Sequence, residues 1–305
     1  MLSVCVFAFV VFLAAGTQSK AAVNMGVKQT GAGSSYVNLA WDAQLGAGHY
    51  HTQFSQDGKN WIDMDDSSSP SESVYNLTQG ASYYARVVAY KDSHYMGTHV
   101  MVGVSETAIV STKPAEVTGL TQTAAGVNSV SMSWNASAGA ASYVIYGYIN
   151  YNWTQIGTSA TNSATITGVA ATTSTRFSVA AVKNVTGGTV TGDQCSGVEM
   201  KAIPIKVSRI AMQYYWDSLK EAKYIWTDVN NADGYQYEVK SANGKKTYFR
   251  ATSTSSYTYV KPFPRGIFVK ARVRAYVTVG NKVYYGAWSP YTYHASSKKV
   301  TAKRS

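Results

Sequence analysis

Four of the five histidines of this 305-residue chain, His49, His51, His94 and His99, fall within one short stretch. Imidazoles gathered on a surface are ligands for zinc, copper or nickel. With Tyr50 facing a core, His49 and His51 share the solvent side of a strand, and a two-residue turn at Met96-Gly97 sets His94 against His99 across a hairpin. No cysteine or aspartate completes a fixed ligand spacing around them. No metal site is therefore assigned, and the four histidines stand only as candidates. Asp63, Asp65 and Asp66 look like the start of a calcium loop, but Ser68 sits where such a loop turns on glycine and the distal glutamate is missing. Other chemistries lack their parts as well. There is no Gly-X-Ser-X-Gly elbow and no phosphate-cradling glycine loop, and Cys195 lies in a region without histidine. Glycoside hydrolysis needs two carboxylates facing a cleft, whereas residues 113–203 offer only Glu116, Asp193 and Glu199. The expectation is a non-enzyme with no catalytic residue and no cofactor.

Charge carries more information. The formal net charge is +11, and it is not shared evenly. Residues 23–112 hold 4 basic and 8 acidic side chains, residues 113–203 hold 4 and 3, and residues 204–305 hold 18 and 5. Within the basic third, Val269, Ala271, Val273 and Ala275 alternate with Lys270, Arg272, Arg274 and Tyr276, so a strand here buries the first set and displays the second. Tyr284, Tyr285 and Trp288 follow on the next strand. Such a row, with Lys298, Lys299, Lys303 and Arg304 in the tail, suits an anionic polymer held by counterion release and ring stacking. A second reading stands beside it: Glu238 on a neighbouring strand pairs with Arg272 or Arg274 and leaves a solvated face. Tyr146, Tyr148, Tyr151 and Trp153 suggest sugar stacking, but Trp153 has a counterpart in Trp61, which favours packing.

The elements that must position these side chains are strands. Trp41, Trp134 and Trp226 are separated by 93 and 92 residues, and Tyr50, Tyr143 and Tyr235 each follow nine residues later. Alternating segments ending at Ala89, Ala181 and Ala275 complete a threefold repeat. Val37, Leu39 and Trp41, like Val130, Met132 and Trp134, alternate with polar neighbours, and Asp57-Gly58, Asn243-Gly244 and Gly280-Asn281 are hairpin signals. Only Ser218 to Lys223 is ambiguous between helix and strand. Prolines at Lys113-Pro114 and Ile203-Pro204 mark unit boundaries. The apolar run Val4 to Ala15, with small residues at Ser19 and Ala21, reads as a secretory leader too short to span a bilayer; an uncleaved anchor is the competing reading. No basic residue precedes the run, so Met1 need not be the native start. With Cys5 in the leader, Cys195 is left without an intramolecular partner and reads as a small buried residue.

The expected organisation is all-β: a leader over 1–22, three immunoglobulin-like β-sandwiches over 23–112, 113–203 and 204–296, and a basic tail over 297–305. These units resemble the fibronectin type III family. The first carries Leu77-Thr-Gln-Gly80-Ala-Ser-Tyr83, similar to the family's tyrosine corner; the second carries Val117-Thr-Gly-Leu120 and Ser131-Met-Ser-Trp134, similar to its opening strands. The third, with Val273-Arg-Ala-Tyr276 and Tyr284-Tyr-Gly-Ala-Trp288-Ser, resembles modules of secreted proteins of Gram-positive bacteria. Thr175 and Val269 replace the corner tyrosine in the second and third units. The resemblance implies an extracellular adhesion or spacer module. The expected protein is secreted and monomeric, with no transmembrane segment in the mature chain. It binds a cell-wall or other anionic glycan polymer such as a teichoic-acid-like chain, or a protein ligand at its loops, and no intracellular nucleic acid. The alternative is a structural spacer in a larger carbohydrate-active system.

Overall fold

The computed structural model describes residues 22–91, 99–263 and 265–296. Most of the leader, His94, and the tail residues Lys298, Lys299, Lys303 and Arg304 lie outside the described residues. No described helix is long and apolar enough to cross a membrane. The described residues divide into two compact units, those up to 113 with 184–190, and 114–183 with those from 191 onward.

The first sandwich is built from β1 (Lys28–Ala32), β2 (Val37–Ala40), β3 (His49–Ser55), β4 (Ile62–Ser67), β5 (Ser71–Val74), β6 (Ser82–Lys91), β7 (Val100–Val104) and β8 (Ala108–Ser111). The second comprises β9 (Thr121–Gly126), β10 (Ser129–Ser133), β11 (Ser142–Ile149), β12 (Asn152–Ser159), β13 (Ser163–Thr167), β14 (Thr175–Val185), β15 (Gly188–Thr191) and β16 (Val198–Met200). The third comprises β17 (Ile210–Trp216), β18 (Glu221–Trp226), β19 (Gly234–Ser241), β20 (Thr247–Ser253), β21 (Tyr257–Val260), β22 (Phe268–Val279), β23 (Lys282–Tyr285) and β24 (Thr292–Ala295). Each pairs a three-stranded sheet with a five-stranded one in the same order. The small sheets run β1-β2-β5, β13-β10-β9 and β17-β18-β21. The large ones run β4-β3-β6-β7, β12-β11-β14-β15 and β20-β19-β22-β23, with β8, β16 and β24 pairing β6, β14 and β22 beyond a break in the last strand. This strand order makes the chain three tandem fibronectin type III-like sandwiches.

Period two explains each core. In β2, Val37 and Leu39 are buried between half-exposed neighbours, and β10 and β22 alternate in the same way. Each sandwich has its own apolar cluster, around Trp41, Trp134 and Trp226. The repeated tryptophan and tyrosine meet edge to face, with ring centroids 5.5, 5.3 and 5.5 Å apart. Each tyrosine hydroxyl then accepts a backbone N–H, from Gln44, Ser137 and Val229 respectively, at 3.1, 3.0 and 2.7 Å. The nine-residue spacing therefore has a physical cause: the ring fills the core while its hydroxyl caps the preceding loop. In the first sandwich Tyr83 adds the tyrosine corner, accepting from Thr78 N at 2.9 Å. The ambiguous stretch near Ser218 is a turn, Asp217 to Lys220, followed directly by β18. Lys220 takes φ 46° and donates its N–H to the Asp217 carbonyl, a conformation that cannot propagate a right-handed helix.

Cys195 has a structural task that the repeat makes plain. Its Sγ accepts the Val179 N–H at 3.2 Å, where Ser105 Oγ accepts from Val87 N at 2.8 Å and Ser289 Oγ from Val273 N at 3.0 Å. The thiol takes the place of a serine hydroxyl at the break in the last strand, and it is buried. Cys195→Ser is expected to change thermal stability by less than about 1 kcal/mol, while Cys195→Val, which orphans a buried N–H, is expected to cost about 1–3 kcal/mol by denaturant titration.

Candidate functional site

The residues that alternate with the core on β22 line one outer face of the third sandwich. Register sets their neighbours on β19: Lys270 faces Lys240, Arg272 faces Glu238, Arg274 faces Gln236, and Tyr276 faces Gly234. On the far side of β19, Arg250 of β20 faces Glu238. On the other flank Tyr276 faces Tyr285 of β23, and their rings meet at 5.8 Å. Gly234 is required here, because a Cβ on it would come within 2.5 Å of the Tyr276 hydroxyl.

Glu238 is the hub. Its carboxylate points away from the apolar core, yet its side chain has no accessible surface, because cations and rings cover it. Oε1 accepts from Arg272 Nε at 3.0 Å, from Lys240 Nζ at 3.1 Å and from the Tyr291 hydroxyl at 3.1 Å. Oε2 accepts from Arg250 through both Nε and a terminal nitrogen. Desolvation pushes this carboxyl up, but the donors from Arg250, Lys240 and Tyr291 and the charge of Arg272 outweigh it and hold the pKa at about 2.

Above the carboxylate the arginines interleave with aromatic rings. Arg274 lies 3.9 Å from the Tyr285 ring centroid and 4.4 Å from Trp288; Arg272 lies 4.4 Å from Trp288 and 4.7 Å from Tyr291; Lys270 lies 4.7 Å from Tyr291. The order Tyr285, Arg274, Trp288, Arg272, Tyr291, Lys270 is a continuous cation–π ladder. Arg274 also donates to Gln236 Oε1 through Nε at 2.9 Å and a terminal nitrogen at 2.7 Å. Burial is the main cause that lowers its pKa; Arg250 and Arg272 lower it further, and Tyr285 and Glu238 oppose the shift.

The structure bears on the pairing reading of this row. Glu238 pairs with Arg272, as the second reading has it, while Arg274 turns to Gln236. Charge still does not balance: Lys240, Arg250 and Arg272 share the carboxylate of Glu238, while Lys270 lies over Tyr291 and Arg274 donates to neutral Gln236. A Cβ on Gly244 would lie 3.0 Å from Lys270 Nζ, so this ammonium sits against the hairpin turn that carries Lys245 and Lys246. Lys240 was readable from the alternation of β19. Arg250 and Tyr291 were not, because a bulge at Val239/Lys240 sets the β20 register and Tyr291 belongs to an irregular segment.

His49, His51 and His99 of the first sandwich come together. Ring centroids are 4.6 Å apart for His49 and His99, 5.3 Å for His49 and His51, and 6.4 Å for His51 and His99, grouped around Tyr90. His51 Nδ1 is 3.0 Å from Asp66. Among the described residues no group of three or more His, Cys, Asp or Glu is placed to hold a metal ion. Of the three aspartates, Asp63 accepts from the Gln53 amide and Asp66 faces His51, so they are strand-surface partners. In the second sandwich Tyr148 leans on Trp153 at 5.3 Å, and Trp61 of the first supports Arg86 at 4.0 Å, so the matching tryptophans both pack against strand neighbours.

The class defined by strand order is a tandem of fibronectin type III-like sandwiches. No protein-family model and no curated protein sequence matches the chain. Among solved structures the chain is similar to the crystal structure of the chicken CNTN1 FN1-FN3 domains, at 15% identity and a TM-score of 0.36, over 90% of this chain and 98% of that one. The fold assignment rests on the repeated sheet order above.

Proposed function

We propose that the protein is a secreted or cell-surface, non-catalytic binding protein whose third sandwich holds an anionic surface polymer on its ladder face. One observation carries this reading: Lys240, Arg250, Lys270, Arg272 and Arg274 crowd one sheet face around the carboxylate of Glu238, which pairs with three of them, and Lys245 and Lys246 add ammonium groups at the Lys270 end. Lys240 and Lys270 are directly opposed across strands, an arrangement that is destabilising for like charges; Glu238 reaches Lys240 at 3.1 Å, so an external anion beside Lys270 would ease the remaining repulsion. The ladder supplies rigidity, since guanidinium groups fixed by rings and Glu238 lose little entropy on binding. Lys298, Lys299, Lys303 and Arg304 add charge to the same end of the sequence. The leader-like run Val4 to Ala15 supports export. The internal engagement of Arg272 and Arg274 favours a second reading, a spacer whose ladder serves rigidity alone.

The two readings separate in a retention assay of the full chain on immobilised polygalacturonate, polyphosphate and purified cell wall across a salt series. Retention is expected to fall steeply with salt, and Lys245→Glu/Lys246→Glu/Lys270→Glu is expected to weaken it by about tenfold or more at low salt. Equal elution of parent and variant on all three matrices would leave the spacer reading in its place.

A further inference from the structure

The small sheets of the three sandwiches are built alike and faced differently. In the first, β2 presents Asn38 between Gly31 and Ser73, and Ala40 between Lys28 and Ser71. In the second, β10 presents Ser131 between Ala124 and Thr165, and Ser133 between Thr121 and Ser163. In the third, β18 presents Lys223 between Tyr214 and Tyr259, and Ile225 between Ala211 and Tyr257. These are the same positions, three and one residues before the repeated tryptophan, and they lie on the outer face because Leu39, Met132 and Tyr224 between them are buried. Two sandwiches of this chain carry chiefly small and polar groups there. The fold therefore does not require aromatics on this face, and the third sandwich displays a sheet of them.

The geometry is that of a platform. Tyr214 and Trp216 are 5.6 Å apart with planes inclined at 40°, and Trp216 and Tyr259 are 6.1 Å apart at 32°. Tyr257 extends the row 5.9 Å beyond Tyr259. Tyr257 and Tyr259, on the edge strand β21, are 46% and 38% exposed. The Lys223 ammonium stands among them, 5.2 Å from the Tyr257 ring and 5.7 Å from Tyr259.

We infer that this face binds an anionic polysaccharide, its rings presenting apolar faces to pyranose rings and Lys223 meeting a sugar carboxylate. Aromatic faces attract the polarised C–H groups of a ring, their rim hydroxyls donate and accept hydrogen bonds, and an ammonium gives a charge-assisted bond to a carboxylate. A second copy of this chain fits less well, since a two-fold interface through this face would bring two Lys223 ammonium groups together. The inference rests on the proposed function only in taking the ligand as a polyanion. It names sugar rings as what is recognised and places them on the sheet opposite the ladder.

The test uses the full chain with three soluble probes: polygalacturonate, which has rings and carboxylates; polyphosphate, which has charge without rings; and oligo(dT), which has charge and stacking bases. Tyr257→Ser/Tyr259→Thr gives the third sandwich residue types that its sisters carry, and Lys223→Ser does so singly should the double variant melt early. The double variant is expected to lose about tenfold in polygalacturonate affinity by calorimetry, and Lys223→Ser about threefold, with polyphosphate affinity unchanged. Failure of the parent to bind polygalacturonate, unchanged affinity in the variants, a loss confined to oligo(dT), or a dimer in sedimentation that the variants dissolve would each overturn the inference. The two readings fail separately: the ladder face is tested by what Lys245→Glu/Lys246→Glu/Lys270→Glu loses on polyphosphate, and the aromatic face by what Tyr257→Ser/Tyr259→Thr loses on polygalacturonate but not on polyphosphate.

Discussion

Glu238→Ala is expected to destabilise the third sandwich by about 3 kcal/mol, the low end of what breaking a buried ion pair costs. The carboxylate has no accessible surface and neutralises Lys240, Arg250 and Arg272 together, so its loss leaves those cations opposed to one another. The cost stays at the low end because Arg250 is half exposed and recovers hydration. Glu238→Gln keeps oxygen and size and is expected to cost less. The pH dependence follows from the depressed pKa: the carboxylate's contribution is complete above about pH 4.5 and is lost as pH falls toward about 2. Melting temperatures from pH 6 to pH 2 should therefore show the parent losing more stability over that window than Glu238→Gln. Parallel curves would show that Glu238 contributes no such linkage.

Trp134→Ala is expected to cost about 3–5 kcal/mol, the range for deleting a large buried aromatic side chain. The ring is 3% exposed and meets Tyr143 edge to face at 5.3 Å, at the centre of a core that also holds Val130, Ile145, Phe177 and Val179. No corner tyrosine supports this sandwich, because Thr175 stands in that position. Hydrogen exchange followed by mass spectrometry should show protection lost from β10, β11 and β14 and retained in β22, since each sandwich has its own core. Uniform loss across all three would mean that the cores unfold as one.

Much of this architecture could be read from residue order, for a local reason. Side-chain direction in a strand alternates with period two whatever the partner, so Val37, Leu39 and Trp41, or Val269, Ala271 and Val273, reveal a buried face without knowledge of what covers it. Repetition added the rest: the tryptophan and tyrosine at fixed spacing recur because one contact, ring on ring with the hydroxyl under a loop, recurs. The outward row Lys270, Arg272, Arg274 and Tyr276 was legible on the same grounds.

What lies across from that row was not. Whether Arg272 or Arg274 would find Glu238 depends on strand register, which a bulge can shift by one residue and so reverse every neighbour. Arg250 and Tyr291 reach the carboxylate from segments 12 and 53 residues away along the chain, and no local pattern marks them. The aromatic platform was missed for a related reason. Tyr214, Trp216, Tyr257 and Tyr259 look in one dimension like ordinary core aromatics, and only sheet pairing shows that they stand outside, beside Lys223, where the sister sandwiches carry small and polar groups. Faces follow from the chain's own alternation; the company that each face keeps follows from long-range pairing between strands distant in the chain.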